Sequence, residues 1–272
     1  MQKILKVRFD GVTHQQATRQ AIEYALASSQ HYICTPNPEI VLKAQENNKY
    51  LKILNQSDLN IADGTGILWA AKYLSLAQQY YKPSERIRKF VSTLFAALFS
   101  PKSLHTVLPE RVTGIDLMKS ICQEAAKNNL PIFLLGAQEG IAKTAAKNLQ
   151  QEILKLKIVG AHAGNPSPKN DQQLCKIINN AKPSIIFVAY GAPKQELWIA
   201  RNLKHLKTVR LAMAVGGAFD FISKSKLRAP KWMQKSGLEW LFRLYQEPSR
   251  ATRIYNAIVK FPFKILQKSL KS

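Results

Sequence analysis

Five short apolar runs punctuate the chain, each closing in turn residues and each followed by a longer stretch with helical spacing: HYICTPNPE, LPIFLLGAQEG, LKIVGAHAG, PSIIFVAYGAPKQE and VRLAMAVGGAFD. Such runs read as buried strands, and their alternation with helices predicts an α/β, Rossmann-like fold, a mainly parallel sheet flanked by helices. In sheets of this kind ligands bind outside the carboxyl ends of the strands. The loops that close these runs are therefore where chemistry is expected.

Two segments break the rhythm. Residues 76–108 contain KPSERIRKFVSTLFAALFSPKSLH, a basic flank followed by an apolar stretch, and read as a helical insertion. The tail 224–272 reads as a basic helical appendage to a core spanning 1–223. Within it Ile254, Ile258, Phe261 and Ile265 follow helical spacing, and Lys260, Lys264 and Lys268 recur every fourth residue. This is an amphipathic pattern with a basic stripe, which Pro262 should kink or interrupt.

Composition adds a strong cationic bias. Of 272 residues, 40 are Lys or Arg and 17 are Asp or Glu, giving a formal charge of +23. Such a field attracts nucleic acid, anionic membrane or phosphorylated substrates. From Lys224 to Lys271 only Glu239 and Glu247 oppose twelve basic residues, so the charge is concentrated in the tail. Cys34, Cys122 and Cys175 lie far apart without a CxxC pair, which fits a reducing compartment. No apolar run reaches the ~20 residues of a bilayer span, and Met1–Gln16 lacks a signal-peptide core. The expected location is cytosolic or peripheral to a membrane.

The strand-end loops carry the candidate chemistry. In TPNPE, Thr35 and Asn37 carry short polar side chains suited to turns or helix caps. In ADGTG, Gly64 and Gly66 permit close backbone approach or positive φ, and Asp63 is either a cap or a proton acceptor. GAPKQE places Lys194, Gln195 and Glu196 in the first turn of a helix, where backbone N–H groups favour an anion. The five histidines are isolated, and HExxH, DxD, GxSxG, the P-loop and the GxGxxG fingerprint are all missing. A metal centre and serine hydrolysis find no support in these patterns.

TPNPE, ADGTG, ERVTGIDLM, FLLGAQEG, GAPKQE, GGAFDF and RAPKWMQKSGLEWLFRLYQEPSR, in that order, resemble the WecG/TagA/CpsF bacterial glycosyltransferases. The resemblance implies inverting transfer of an N-acetylhexosamine, commonly N-acetylmannosamine, from a UDP-sugar to a polyprenyl-diphosphate-linked N-acetylglucosamine, with no metal required. It carries a catalytic base onto Asp63 and substrate contacts onto Thr35, Asn37, Arg111 and Gln195. It also implies that the appendage closes over the site and supplies Arg243, Arg250 and Arg253. Arginine suits such a role because its planar fork binds phosphate oxygens in pairs. The expected partners are the UDP-sugar, the lipid-diphosphate-linked sugar, an anionic membrane surface at the inner face of the cytoplasmic membrane and, through self-association, a homo-oligomer. Residues 76–108 depart from the family pattern, which joins ADGTG to ERVTG by a shorter connection.

Two rival readings stand beside this one. A nucleotide-dependent oxidoreductase would use a similar sheet, but the glycine fingerprint and the ribose-binding acid are missing. A non-catalytic nucleic-acid or membrane binder would explain the charge, but no nucleic-acid motif is present and the charge lies in an amphipathic tail.

Overall fold

The computed structural model describes residues 2–235 and 237–271. Its strands are β1 (Gln2–Ile4), β2 (Val7–Phe9), β3 (His31–Cys34), β4 (Leu59–Asn60), β5 (Ile132–Gly136), β6 (Ile158–His162), β7 (Ile185–Ala189) and β8 (Leu211–Ala214). β1 and β2 form an antiparallel hairpin, while the other six make one sheet in the order β4-β3-β8-β7-β5-β6 with every neighbouring pair parallel. All five apolar runs are strands of this sheet. The two-residue β4 carries no such run, being too short to show a period.

β5 and β7 are buried along their whole length, as expected for central strands covered on both faces. On one face Ile132, Leu134, Ile185 and Phe187 pack with the helices His14–Leu26, Gly114–Lys127 and Ile141–Glu152. On the other, Phe133, Leu135, Ile186 and Val188 meet Leu174 and Ile178 of Asp171–Ala181 and Trp198 of Lys194–Asn202. Local signals set the helix starts: Thr13 and Gln16 form a reciprocal capping box, and Asn37, Asn47 and Thr113 each cap the helix that follows.

A third apolar cluster lies beside the sheet. Residues 76–108 form part of a helical hairpin, Thr65–Ala77 followed by Pro83–Phe99, in which Phe90 meets Trp69 and Tyr73 edge-on at 5.4 and 5.3 Å. The end of the chain completes this cluster. Phe261 and Ile265 of the terminal helix Phe261–Leu270 are fully buried in it, and the Tyr73 hydroxyl lies 2.6 Å from Ser269 Oγ. Much of the apolar stripe that the sequence shows in the tail is thus spent on the fold's own core. Pro262 stands in the first turn of that helix, directly after a π-helical turn at Asn256–Lys260, so the helix restarts at the proline's permitted position.

Candidate active site

The loops leaving β3, β4 and β8 meet at the carboxyl edge of the sheet. Asp63 N–H donates to Pro36 O at 3.2 Å, and Val112 N–H donates to Ala62 O at 3.2 Å. TPNPE, ADGTG and ERVTG are therefore joined by backbone bonds. Gly64 has φ 109° and starts the helix Thr65–Ala77, a conformation that Asp or Ala would adopt only under strain. A Cβ on Gly66 would come within 2.8 Å of Pro38 Cγ. Gly66 thus makes room for the neighbouring proline loop, which differs from its expected role beside a ligand.

Asp63 does not cap that helix. Among the described residues no protein group donates to its carboxylate, which keeps a path to solvent although packed atoms surround it. Burial pushes the carboxyl up to about 6, against the pull of Arg243 and Arg111; Glu239 and Asp116 add to the rise. A carboxylate at this value is still ionised at neutral pH and is a stronger base than an ordinary aspartate.

The helices that follow Lys231 lie against these loops. Arg111 Nη2 donates to Gln234 O at 3.0 Å, tying the ERVTG loop to the helix Lys231–Lys235. A Cβ on Gly237 would lie 2.8 Å from Thr65 Oγ1, so the following turn rests on the ADGTG helix. Arg243, in the helix Glu239–Gln246, pairs with Glu239 at 2.6 Å and stacks on Phe221 at 4.8 Å. Arg228 grips Asp116 with both terminal nitrogens, at 2.6 and 2.8 Å. Burial works against the charge of Asp116, but Arg228 and Thr113 outweigh it and hold the carboxyl below its ordinary value. The Nε–H groups of Arg228 and Arg243 are buried and have no acceptor among the described residues. The crevice therefore sets one unclaimed carboxylate among cationic groups with donors to spare.

The remaining sequence candidates are placed differently. Thr35 is buried between β3 and β8, donating to Ala214 O at 3.4 Å, and it touches Gly114. Asn37 accepts from Ile40 N–H at 3.0 Å as a helix cap. Gln195 lies inside: its Oε1 accepts from Gly191 N–H at 3.1 Å and Gly216 N–H at 3.0 Å, and its Nε2 donates to Glu196 at 2.8 Å. It staples the loops after β7 and β8 together. Arg250 pairs with Glu247, and Arg253 with Glu39 at 2.8 Å. Glu39 also meets Lys43 at 2.8 Å; burial opposes its charge, yet these two cations keep its carboxyl low. In this arrangement Arg253 anchors the tail to the helix Pro38–Glu46.

Sequence reasoning did not assign roles to Asp116, Glu239 and Arg228, although all three surround Asp63. Arg228 opens RAPKW and Asp116 sits in TGIDLM, so motif membership was the available signal; their pairing across 112 positions was not visible. No group of three or more His, Cys, Asp or Glu among the described residues could hold a metal ion.

A carboxylate without a protein donor, arginines around it and a strand-edge crevice in a Rossmann-like sheet suit the binding and group transfer of phosphate-bearing substrates. Comparison with known proteins narrows the class. A profile of the glycosyl transferase WecG/TagA/CpsF family matches residues 2–102 and 95–272, and the chain belongs to that family. It is a glycosyltransferase. The two matches overlap over residues 95–102. Curated relatives from Staphylococcus aureus strains MW2, MRSA252 and NCTC 8325 are each 30% identical over 270 residues, covering 98% of this chain and 93% of the relative. Each is named N-acetylglucosaminyldiphosphoundecaprenol N-acetyl-beta-D-mannosaminyltransferase.

Proposed function

We propose that this protein transfers N-acetylmannosamine from a UDP-linked donor to N-acetylglucosaminyl-diphosphoundecaprenol, with Asp63 as general base and without a metal. The observation that carries the reading is the Asp63 carboxylate, raised to about 6, free of protein donors and set beside Arg111 and Arg243. Asp63 removes the proton from the acceptor hydroxyl as its oxygen attacks the anomeric carbon. The bond to UDP breaks with its electron pair on the diphosphate, so one displacement inverts the configuration. Arginine donors near the crevice offset that developing charge, a role filled by a divalent cation in many transferases.

The curated relatives' names support the donor sugar and the lipid-linked acceptor. A polyprenyl tail keeps the acceptor in the bilayer, so the enzyme works at the inner face of the cytoplasmic membrane as a peripheral protein. Among the described residues no helix is long and apolar enough to cross a membrane.

The test is transfer of labelled N-acetylmannosamine to a short-chain lipid-diphosphate N-acetylglucosamine in EDTA. Turnover by the wild type, lost in a folded Asp63→Asn variant, is the expected result. Equal turnover in both would remove Asp63 from the base role. Activity restored only by a divalent cation would overturn metal independence.

A further inference from the structure

We propose that the helix Pro83–Phe99 and the terminal helix Phe261–Leu270, with the π turn before it, form one docking face for an anionic bilayer. The inference rests on the lipid-linked acceptor of the preceding section but concerns a different part of the molecule. The two helices are neighbours. Arg86 of the first donates to the carbonyl of Ser269, 183 positions away, and both lie against Thr65–Ala77.

Each helix has an inward row already satisfied by the core. In the first, Phe90 packs on Trp69 and Tyr73, and Thr93 accepts from Trp69 Nε1 at 3.1 Å. In the second, Phe261, Ile265 and Ser269 face inward at spacings of four. What remains outward is also apolar and also spaced by four. Ile87, Val91 and Phe95 are 45, 46 and 59% exposed, and Val259 and Phe263 are 49 and 57% exposed. Single exposed apolar residues are ordinary; two such rows on adjoining helices are not explained by chance exposure.

Charge selects the occupant. The first helix carries Arg86, Arg88 and Lys89 against Glu85 alone, and no acidic residue follows Glu247 in the tail. Apolar rows rimmed by cations are the composition of helices that lie in a bilayer interface, where anionic lipid attracts Lys and Arg. A second copy of the chain would bring the same cations against each other in a two-fold contact. The insertion thus gives this protein a lipid contact beyond its tail. Phe261 and Ile265 of the tail are core residues, so the face is tested by substitutions on its outward side.

The experiment measures co-sedimentation with phosphatidylcholine vesicles, with and without phosphatidylglycerol, for the wild type, the triple variant Ile87→Ser/Val91→Ser/Phe95→Ser and the double variant Arg88→Glu/Lys89→Glu. Oligomeric mass and turnover on a soluble short-chain acceptor are measured in parallel. The wild type should bind only the phosphatidylglycerol vesicles, and each variant should bind roughly tenfold or more weakly with soluble-acceptor turnover unchanged. Wild-type binding by the triple variant would overturn the proposal, as would a changed mass with unchanged vesicle binding, which would assign the face to a second copy. Vesicle binding that behaves as expected without any turnover would sink the transferase reading and leave the docking face standing.

Discussion

Two strand-end turns of this protein look alike in sequence and differ in what surrounds them. ADGTG and GAPKQE each follow a strand, each opens a helix and each carries a carboxylate that burial pushes up, Asp63 and Glu196. Glu196 is enclosed, accepting from Gln195 at 2.8 Å and from the Tyr50 hydroxyl at 3.2 Å. Asp63 accepts from no described residue and faces Arg111 and Arg243. A buried acid whose bonds are filled holds loops in place; one whose bonds are open is available to a substrate. The same residue chemistry is therefore bound into the structure in one turn and left open to a ligand in the other.

The comparison breaks most readily at Asp63. Asp63→Asn should lower turnover by about 100-fold or more, because the amide cannot accept the proton, while the melting temperature stays level or rises. A variant that keeps wild-type turnover would make the two turns equivalent. Arg243→Ala should cost on the order of 100-fold in kcat/KM through lost stabilisation of the leaving diphosphate. It should also move the acid limb of the pH–rate profile. In the wild type that limb should fall as pH drops below about 6, where Asp63 gains its proton; without Arg243, which pulls the carboxyl down, the fall should begin at higher pH.

The structural turn gives the opposite signature. Gln195→Ala leaves the Gly191 and Gly216 N–H groups without their acceptor and should destabilise the fold by about 2–4 kcal/mol in denaturant titration. Turnover per folded molecule should fall far less than in Asp63→Asn. The smallest effect is expected at Glu196→Gln, which keeps the shape of the acid and its bond to Tyr50: a melting shift of a few degrees and an unmoved acid limb. A moved limb would place Glu196 in the titrating machinery.

Linkage sharpens the same contrast. Asp63 is raised from 3.8 to about 6, so the folded state holds this proton more tightly than the unfolded chain. Its contribution to stability is full below 3.8 and is lost as pH rises through about 6. The protein therefore gives up stability to hold this buried carboxylate ionised at neutral pH. Asp63→Asn should flatten that part of the stability–pH curve.

Periodicity and turn chemistry made the sheet legible, because a buried parallel strand must be an apolar run and must end in residues that allow the chain to reverse. β4 escaped because two residues carry no period. From its turn alone Asp63 read equally as a helix cap or a proton acceptor, and it was the family motif ADGTG that singled it out. Arg228 and Asp116 were not assigned, since their bidentate pair depends on the appendage folding back across the core. The tail shows the same limit in another form. Its amphipathic pattern was visible, but which face meets protein and which meets solvent was not: Phe261 and Ile265 turn inward while Val259 and Phe263 turn outward.

By itself, then, the sequence determined the α/β class, the strand-end loops, the family and the carboxylate at the centre of the crevice, all of which depend on local spacing and ordered motifs. Tertiary structure alone decided that Asp63 is open while Glu196 and Gln195 are closed, that Arg243 acts electrostatically on Asp63 while Arg253 anchors the tail, and that the helix Pro83–Phe99 and the terminal helix are neighbours. Exposure and charge pairing are properties of surfaces brought together from distant parts of the chain, and no local pattern encodes which surfaces will meet.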